Sequence, residues 1–260
     1  MTQEGKDMPA RNVDIVFCID ASESMKPHVD SLCRHVSSMV ESMRQAKFAW
    51  RIDFVAHQVL GRTDDGMVYC DRSIFGDTVD LLYEADEARF FTKSVKEFKS
   101  ALSGISFEGD ENMLYALDLA LDFPFRSAAD TQRVVILLSD EEFETNEPSC
   151  RERCRELLPD ICQKIHDRHV TLFGAMPIRR GGMAEKLAEV DRSEFIALAK
   201  DANGDIEFNA LDWLRQLGRS ISSSVISRTS DSEQYTRALF DQDAWENTAN
   251  RRFERIGDEV

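Results

Sequence analysis

Three polar side chains with alternating spacing follow the first apolar run of the chain. Asp20, Ser22 and Ser24 form a D-x-S-x-S segment directly after the run Val13–Ile19. In an extended turn, alternate residues point the same way, so one carboxylate and two hydroxyl groups can face a single point. Such oxygen atoms are hard ligands that suit Mg²⁺ or Mn²⁺, with Ca²⁺ as a further candidate. The segment therefore predicts a divalent metal site.

A second aspartate ends another strongly apolar run, Arg133–Asp140. Ligands of an open parallel sheet bind in the crevice at the carboxyl ends of its strands, which is where Asp20 and Asp140 would meet. Two carboxylates at one edge repel each other, and a hard divalent cation neutralises them. The alternative is that both aspartates cap helices, as Asp residues often do.

The elements that must position these residues alternate between strands and helices. An early run rich in β-branched residues, Val13–Asp20, is typical of a strand buried on both faces. Partial alternation in Phe48–Val59 favours a strand nearer the sheet edge, and Gly61–Phe75 contains a candidate hairpin arm. Further strands are predicted at Arg133–Asp140, His169–Ala175 and Asp205–Phe208, and helices at Val29–Met43, Thr92–Leu102, Asn112–Leu121, Cys150–Arg168, Phe195–Lys200 and Leu211–Val225.

This alternation predicts an α/β fold, a Rossmann-like, open and mostly parallel sheet with helices on both faces. Residues 1–12 are predicted to be an N-terminal tail, residues 13–226 the α/β domain, and residues 227–260 a partly helical C-terminal extension. The serine-rich stretch Ser222–Ser224 marks the start of the change in composition. Tyr235, Phe240 and Trp245 are candidate apolar contacts of the extension.

Composition limits the classes of function. The 260 residues carry 48 acidic and 32 basic side chains, a formal charge of −16, which disfavours direct nucleic-acid binding. No apolar stretch approaches the roughly 18 residues of a membrane span, and residues 1–12 lack an apolar leader core. We therefore expect a cytoplasmic protein without a membrane partner, whose six cysteines stay reduced.

Enzyme motifs are absent from the sequence. There is no G-x-S-x-G elbow and no glycine-rich phosphate loop. The five histidines form no recognisable base partner, and His57 is interpreted as a packed or surface residue. The sequence therefore predicts a binding protein that is not an enzyme.

Taken together, the segment from Asp14 to Met25 resembles the first strand and metal loop of a von Willebrand factor A domain. That family's metal-ion-dependent adhesion site combines D-x-S-x-S with a ligand from a middle loop and an Asp that ends a later strand. Ser139 and Asp140 resemble the later strand end, whereas Glu141 replaces the usual glycine and should stiffen the turn.

The resemblance also implies a middle ligand. Many family members have a Thr before the helix that contains Ala-Leu, whereas this chain has Glu111 in that register and Asp110 as the near alternative. The implied metal ligands are Asp20, Ser22, Ser24, Glu111 and Asp140. Three carboxylates would hold the ion without help from an acidic partner, so a carboxylate of a partner would add less to the binding free energy.

For function, the resemblance implies a metal-dependent protein-binding module that acts as a scaffold or adaptor. It is similar to bacterial members of stress-response systems, including tellurium resistance, that work beside a kinase and a phosphatase. It is also similar to partners of AAA+ ATPases. The alternatives are a metal-dependent phosphohydrolase, and a structural subunit in which the ion only stabilises the fold.

Overall fold

A central apolar strand organises the sheet. The computed structural model of the protein describes residues 11–63, 66–110, 112–141, 148–178, 180–190, 193–198 and 209–227. The strands of this part are β1 (Arg11–Asp20), β2 (Phe48–Thr63), β3 (Gly66–Ser73), β4 (Gly76–Asp77), β5 (Thr131–Leu138), β6 (Val170–Met176) and β7 (Glu194–Ala197).

These strands form one sheet in the order β4-β3-β2-β1-β5-β6-β7. The strands β2, β1, β5, β6 and β7 are neighbours in the sheet and pair in parallel. Beyond β2, the strands β3 and β4 are added in antiparallel orientation. The predicted open, mostly parallel sheet is confirmed.

Helices cover both faces of the sheet. They are α1 (Lys26–Gln45), α2 (Thr78–Tyr83), α3 (Val95–Leu102), α4 (Met113–Leu121), α5 (Pro148–Asp167), α6 (Met183–Ala188) and α7 (Ala210–Ser227). Helices α1, α3 and α7 pack on one apolar core, and α4, α5 and α6 pack on a second. β1 supplies both cores, because Ile15 and Phe17 enter the first while Val16 and Cys18 enter the second. This is the pattern of a strand buried on both faces.

β2 lies between β1 and β3, one strand nearer the edge of the sheet than the central strand β1, which agrees with its partial alternation. Its Asp53 is buried and accepts hydrogen bonds from three backbone amides. The short helix predicted at Phe195–Lys200 is wrong at its first three residues, which belong to the strand β7 paired with β6. The Phe195 ring lies directly over Gly174, where an added Cβ would come within 2.4 Å of it. The serine-rich stretch Ser222–Ser224 lies inside α7, in agreement with the helix predicted over Leu211–Val225.

Other predictions differ from the structure in detail, or fall on residues that the structure does not describe. β1 begins at Arg11, inside the predicted tail, and β3 confirms the hairpin arm. The short helices α2 and α6 were not predicted. The strand predicted at Asp205–Phe208 and residues 228–260 lie outside the described residues. In the ranges that the structure describes, no helix is long and apolar enough to cross a membrane, and five cysteines are free thiols.

The amino-terminal end of β1 is held by a buried ion cluster. The Asp14 carboxylate accepts hydrogen bonds from Arg51 Nε and Nη2 at 2.8 and 2.7 Å and from Arg126 Nε and backbone N at 2.8 and 2.7 Å. Burial alone would raise the pKa of Asp14, but hydrogen bonds from Arg51 and Arg126 outweigh it and lower the pKa. This cluster ties β1 to β2 and to the segment before β5.

Replacing Asp14 with alanine should lower the free energy of unfolding by about 3–5 kcal/mol, because two cations would lose their buried partner. Chemical denaturation measures the change. Glu41→Ala is the control, since Glu41 pairs with Arg44 on the surface and should change stability by less than about 1 kcal/mol. Equal effects of the two substitutions would contradict a structural role for the cluster.

Candidate metal centre

The carboxyl ends of β1 and β5 meet at the point where the strand order reverses. From β1 the chain continues to β2 on one side, whereas β5 pairs on the other. Asp20 is the last residue of β1, and Ser139 and Asp140 follow β5 directly. In open α/β sheets the crevice at such a switch point is the usual ligand site. The structure thus brings Asp20 and Asp140 to one edge, as predicted.

The Asp20 carboxylate is fully buried and held by two donors. Its Oδ1 accepts from the Ser22 amide at 2.8 Å, and its Oδ2 accepts from the Ser139 hydroxyl at 2.8 Å. The pKa of Asp20 is raised to about 6, mainly by burial. The charge of Asp140 also raises the pKa, whereas the hydrogen bonds of Ser22 and Ser139 act in the opposite direction. The negative charge is therefore oriented but poorly compensated.

Asp140 presents an unpartnered oxygen. The residue is 9% exposed, and no described group donates a hydrogen bond to its buried Oδ1. A buried carboxylate oxygen without a partner is costly in free energy. A cation in the crevice between Asp20 and Asp140 would remove that cost.

The two serines of the D-x-S-x-S segment lie side by side. Ser22 Oγ and Ser24 Oγ are 3.2 Å apart, with Ser22 buried and Ser24 exposed. A 3-10 turn at Glu23–Met25 places them ahead of α1. These hydroxyls are hard oxygen donors of the kind that Mg²⁺ accepts.

Helix capping does not account for the aspartates. α1 begins at Lys26 with Met25 in the capping position and no side-chain cap. Asp20 accepts a backbone hydrogen bond from the Ser22 amide, which lies in the turn before α1 and not in its first turn. Asp140 precedes the start of α5, at Pro148, by eight residues. The alternative interpretation from the sequence is thus not supported by these contacts.

The middle loop, which joins α3 to α4, is fixed against β2. Asp110 and Val59 exchange backbone hydrogen bonds of 3.0 and 2.6 Å, and the preceding Gly109 has φ +75°. Asn112 caps α4 by accepting from the Tyr115 amide at 3.3 Å. Glu111, the predicted middle ligand, lies outside the described residues, so the choice between Asp110 and Glu111 stays a prediction.

The donor set fits a hard cation in its chemistry. Asp20, Asp140, Ser22 and Ser24 offer oxygen ligands only. Within the described ranges, no three His, Cys, Asp or Glu side chains lie together as a metal-binding group. A site here would therefore depend on the serine hydroxyls as well as on the carboxylates, and the ligand assignment remains a prediction.

The contacts of three residues at this edge, Ser139, His57 and Asp71, were not predicted from the sequence. Ser139 was known only as part of a strand end, yet it orients Asp20. His57 is fully buried, stands opposite Asp20 in the β1–β2 register, and lies 2.6 Å through Nδ1 from Asp71 Oδ1. His57 is therefore a packed, buried residue, which is one of the two interpretations that the sequence offered for it. Its Nε2 is buried and has no partner among the described residues, so it is closed to a substrate in this conformation.

No family model and no curated protein matches the chain. A solved structure described as von Willebrand factor type A from Catenulispora acidiphila is 16% identical, with a TM-score of 0.48. The match covers 80% of this chain and 42% of that chain, so this chain spans less than half of its length. A likeness of this level assigns neither a family nor a function.

The middle loop should depend on the absence of a side chain at Gly109. A Cβ there would lie 2.4 Å from the Val59 carbonyl oxygen. We expect Gly109→Ala to lower the free energy of unfolding by about 2 kcal/mol or more, through strain and the clash together. Gly181→Ala is the matched control, because Gly181 has φ +74° but nothing within 4 Å of the added Cβ. Equal losses in chemical denaturation would show that the contact with Val59 is unimportant.

Removing the charge of Asp20 should stabilise the metal-free protein at neutral pH. The pKa is raised from 3.8 to about 6, so between these values the folded protein keeps a proton that the unfolded chain has released. The ionised carboxylate therefore costs stability above pH 6. Asp20→Asn should gain little at pH 4 and up to about 3 kcal/mol at pH 7, because Asn can bond Ser22 and Ser139 as well.

The measurement is the difference in free energy of unfolding between Asp20→Asn and the wild type from pH 4 to pH 7, with chelator present. The exposed Asp30→Asn is the control and should give a small difference that is flat across this range. A flat difference for Asp20→Asn would refute a buried, uncompensated charge at this position.

Proposed function

We propose that the protein is a metal-dependent binding module of the von Willebrand factor A type, which holds a protein partner at the carboxyl edge of its sheet. The observation that carries the proposal is the pair of buried carboxylates at the switch point. Asp20 has a raised pKa, and Asp140 has an oxygen to which no described residue donates. A crevice that concentrates uncompensated negative charge is suited to a divalent cation.

Each residue of the candidate site has a separate role in this proposal. Asp20 supplies charge at the floor of the crevice, and Ser139 fixes its orientation. Asp140 supplies the free oxygen at the end of β5, and Ser22 and Ser24 supply the hydroxyl oxygens. Glu111, or Asp110 in its place, would complete the set. When bound, a divalent ion such as Mg²⁺ supplies positive charge and a coordination position for an oxygen of a partner.

The position of the site favours binding over chemistry. Ser24 and Glu23 are exposed beside the crevice, so a partner can approach that rim. The formal charge of −16 suits a partner whose contact surface is basic around an oxygen ligand. A kinase, a phosphatase or an AAA+ ATPase is the class of partner that we propose, with the module as a scaffold or adaptor in a stress-response system.

Metal binding is tested by unfolding the protein with and without Mg²⁺. A ligand that binds only the folded state adds about 2.7 kcal/mol to its stability when present at one hundred times its dissociation constant. We expect such a gain for the wild type, a loss of most of the gain in Asp140→Asn, and a reduced gain in Ser22→Ala. Ser37→Ala is the control, since Ser37 is an exposed serine of α1. No stabilisation of the wild type by Mg²⁺ or Mn²⁺ would refute the metal site.

Partner binding is tested separately by affinity capture from a native lysate. The proposal expects proteins that are retained with Mg²⁺, released by EDTA and not retained by Ser22→Ala. Metal binding without any chelator-sensitive partner would favour a purely structural ion. Phosphatase activity that needs Mg²⁺ or Mn²⁺ and disappears in Asp20→Ala would replace the binding role with an enzymatic one.

A further inference from the structure

The part of β2 where its pairing with β1 ends contacts both loops of the candidate metal centre. His57 O accepts from the Ala21 amide at 3.0 Å, which holds the start of the D-x-S-x-S segment. Val59 exchanges backbone hydrogen bonds with Asp110, which holds the end of the middle loop. Between these two residues stands Gln58, whose side chain is buried at 3% exposure.

The Gln58 amide joins the two loops directly. Its Nε2 donates to the carbonyl oxygen of Ala21 at 2.9 Å and to that of Ser106 at 2.5 Å. Two carbonyl acceptors require the NH₂ group at this position, and both of its hydrogens are used. Ala21 lies between Asp20 and Ser22, and Ser106 lies in the middle loop.

One backbone hydrogen bond reinforces the same connection. The Glu108 amide donates to the Ala21 carbonyl at 3.1 Å, so that oxygen accepts from both Glu108 and Gln58. The peptide between Ala21 and Ser22 is thereby held by two donors at its carbonyl oxygen. If Gln58 lost its donors, two carbonyl oxygens in a largely buried region would each lose a partner, which is costly in free energy.

We propose that Gln58 is a positioning residue that couples the D-x-S-x-S loop to the middle loop and thereby sets the metal affinity. This inference rests on the proposed metal-binding function and adds a residue that touches no predicted ligand side chain. Residues that orient metal ligands typically change the affinity by about 10- to 100-fold when they are replaced.

The test compares Gln58→Met with Gln132→Met. Methionine keeps the length of the side chain and removes its donors without adding charge. Gln132 is equally buried at 3% exposure and lies near the start of β5, at the opposite end of the sheet. Its amide atoms have no partner among the described residues. Mn²⁺ binding is measured by electron paramagnetic resonance, and hydrogen exchange of the two loops is measured without metal.

We expect Gln58→Met to weaken Mn²⁺ binding by about 10-fold or more and to speed amide exchange in both the segment after Asp20 and the segment around Ser106. Gln132→Met should bind Mn²⁺ within about twofold of the wild type, since it touches neither loop. If Gln58→Met does not fold, Gln58→Asn takes its place, because the shorter amide cannot reach both carbonyl oxygens. The same loss of affinity is expected for it.

Three results would overturn the inference, and they are distinguishable. Wild-type affinity in Gln58→Met would remove the role of Gln58 and leave the metal function intact. Faster exchange in only one of the two loops would refute the coupling. A wild type that binds no Mn²⁺ would refute the proposed function, and the role of Gln58 in affinity with it.

Discussion

Burying carboxylates at both ends of one central strand sets the main electrostatic constraint on this fold. Asp14 and Asp20 lie on the same strand, β1, and both are fully buried. Their even spacing places them on one face of the sheet. The guanidinium groups of Arg51 and Arg126 surround Asp14 and lower its pKa. Asp20 receives a hydroxyl and an amide but no described cation, and burial raises its pKa to about 6.

This asymmetry gives the two ends of the strand different tasks. The amino end is a closed cluster in which charge is paired, and it joins β1 to β2 and to the chain before β5. At the carboxyl end, no cationic side chain among the described residues pairs with Asp20 or Asp140 in the crevice of the switch point. A protein tolerates such a cost when the site is used, because strained or uncompensated groups concentrate at functional positions. A divalent cation is the ligand that best relieves it.

β2 contributes more to this site than its sequence indicates. Through His57, Gln58 and Val59 it holds both the D-x-S-x-S segment and the middle loop, while none of the three is a predicted ligand. The positions of the loops are thus coupled to the register of β1 and β2. Any shift of one strand past the other would move both loops together, which makes the site dependent on the sheet as a whole.

The predictions from the sequence rested mostly on patterns within short stretches of the chain. The apolar runs of β1 and β5 predicted that Asp20 and Asp140 lie at one edge, because the carboxyl ends of parallel strands lie at the same edge of a sheet. The link from Ser139 to Asp20 and the links of Gln58 join positions far apart in sequence, and no local pattern encodes them. The pair of His57 and Asp71 follows from the register of the β2–β3 hairpin, which the arm alone did not determine. β7 was predicted as a helix because its own residues do not show its pairing with β6. That pairing brings the Phe195 ring against Gly174, where a side chain would clash with it.

Crystals grown with Mn²⁺ would test the central claim most directly, because the anomalous scattering of manganese distinguishes the ion from water and lighter ions. The account predicts one strong peak in the crevice between the carboxylates of Asp20 and Asp140, within coordination distance of at least one serine hydroxyl of the D-x-S-x-S segment. A crevice without a peak at saturating Mn²⁺, or one filled by a cationic side chain of the same protein, would contradict it.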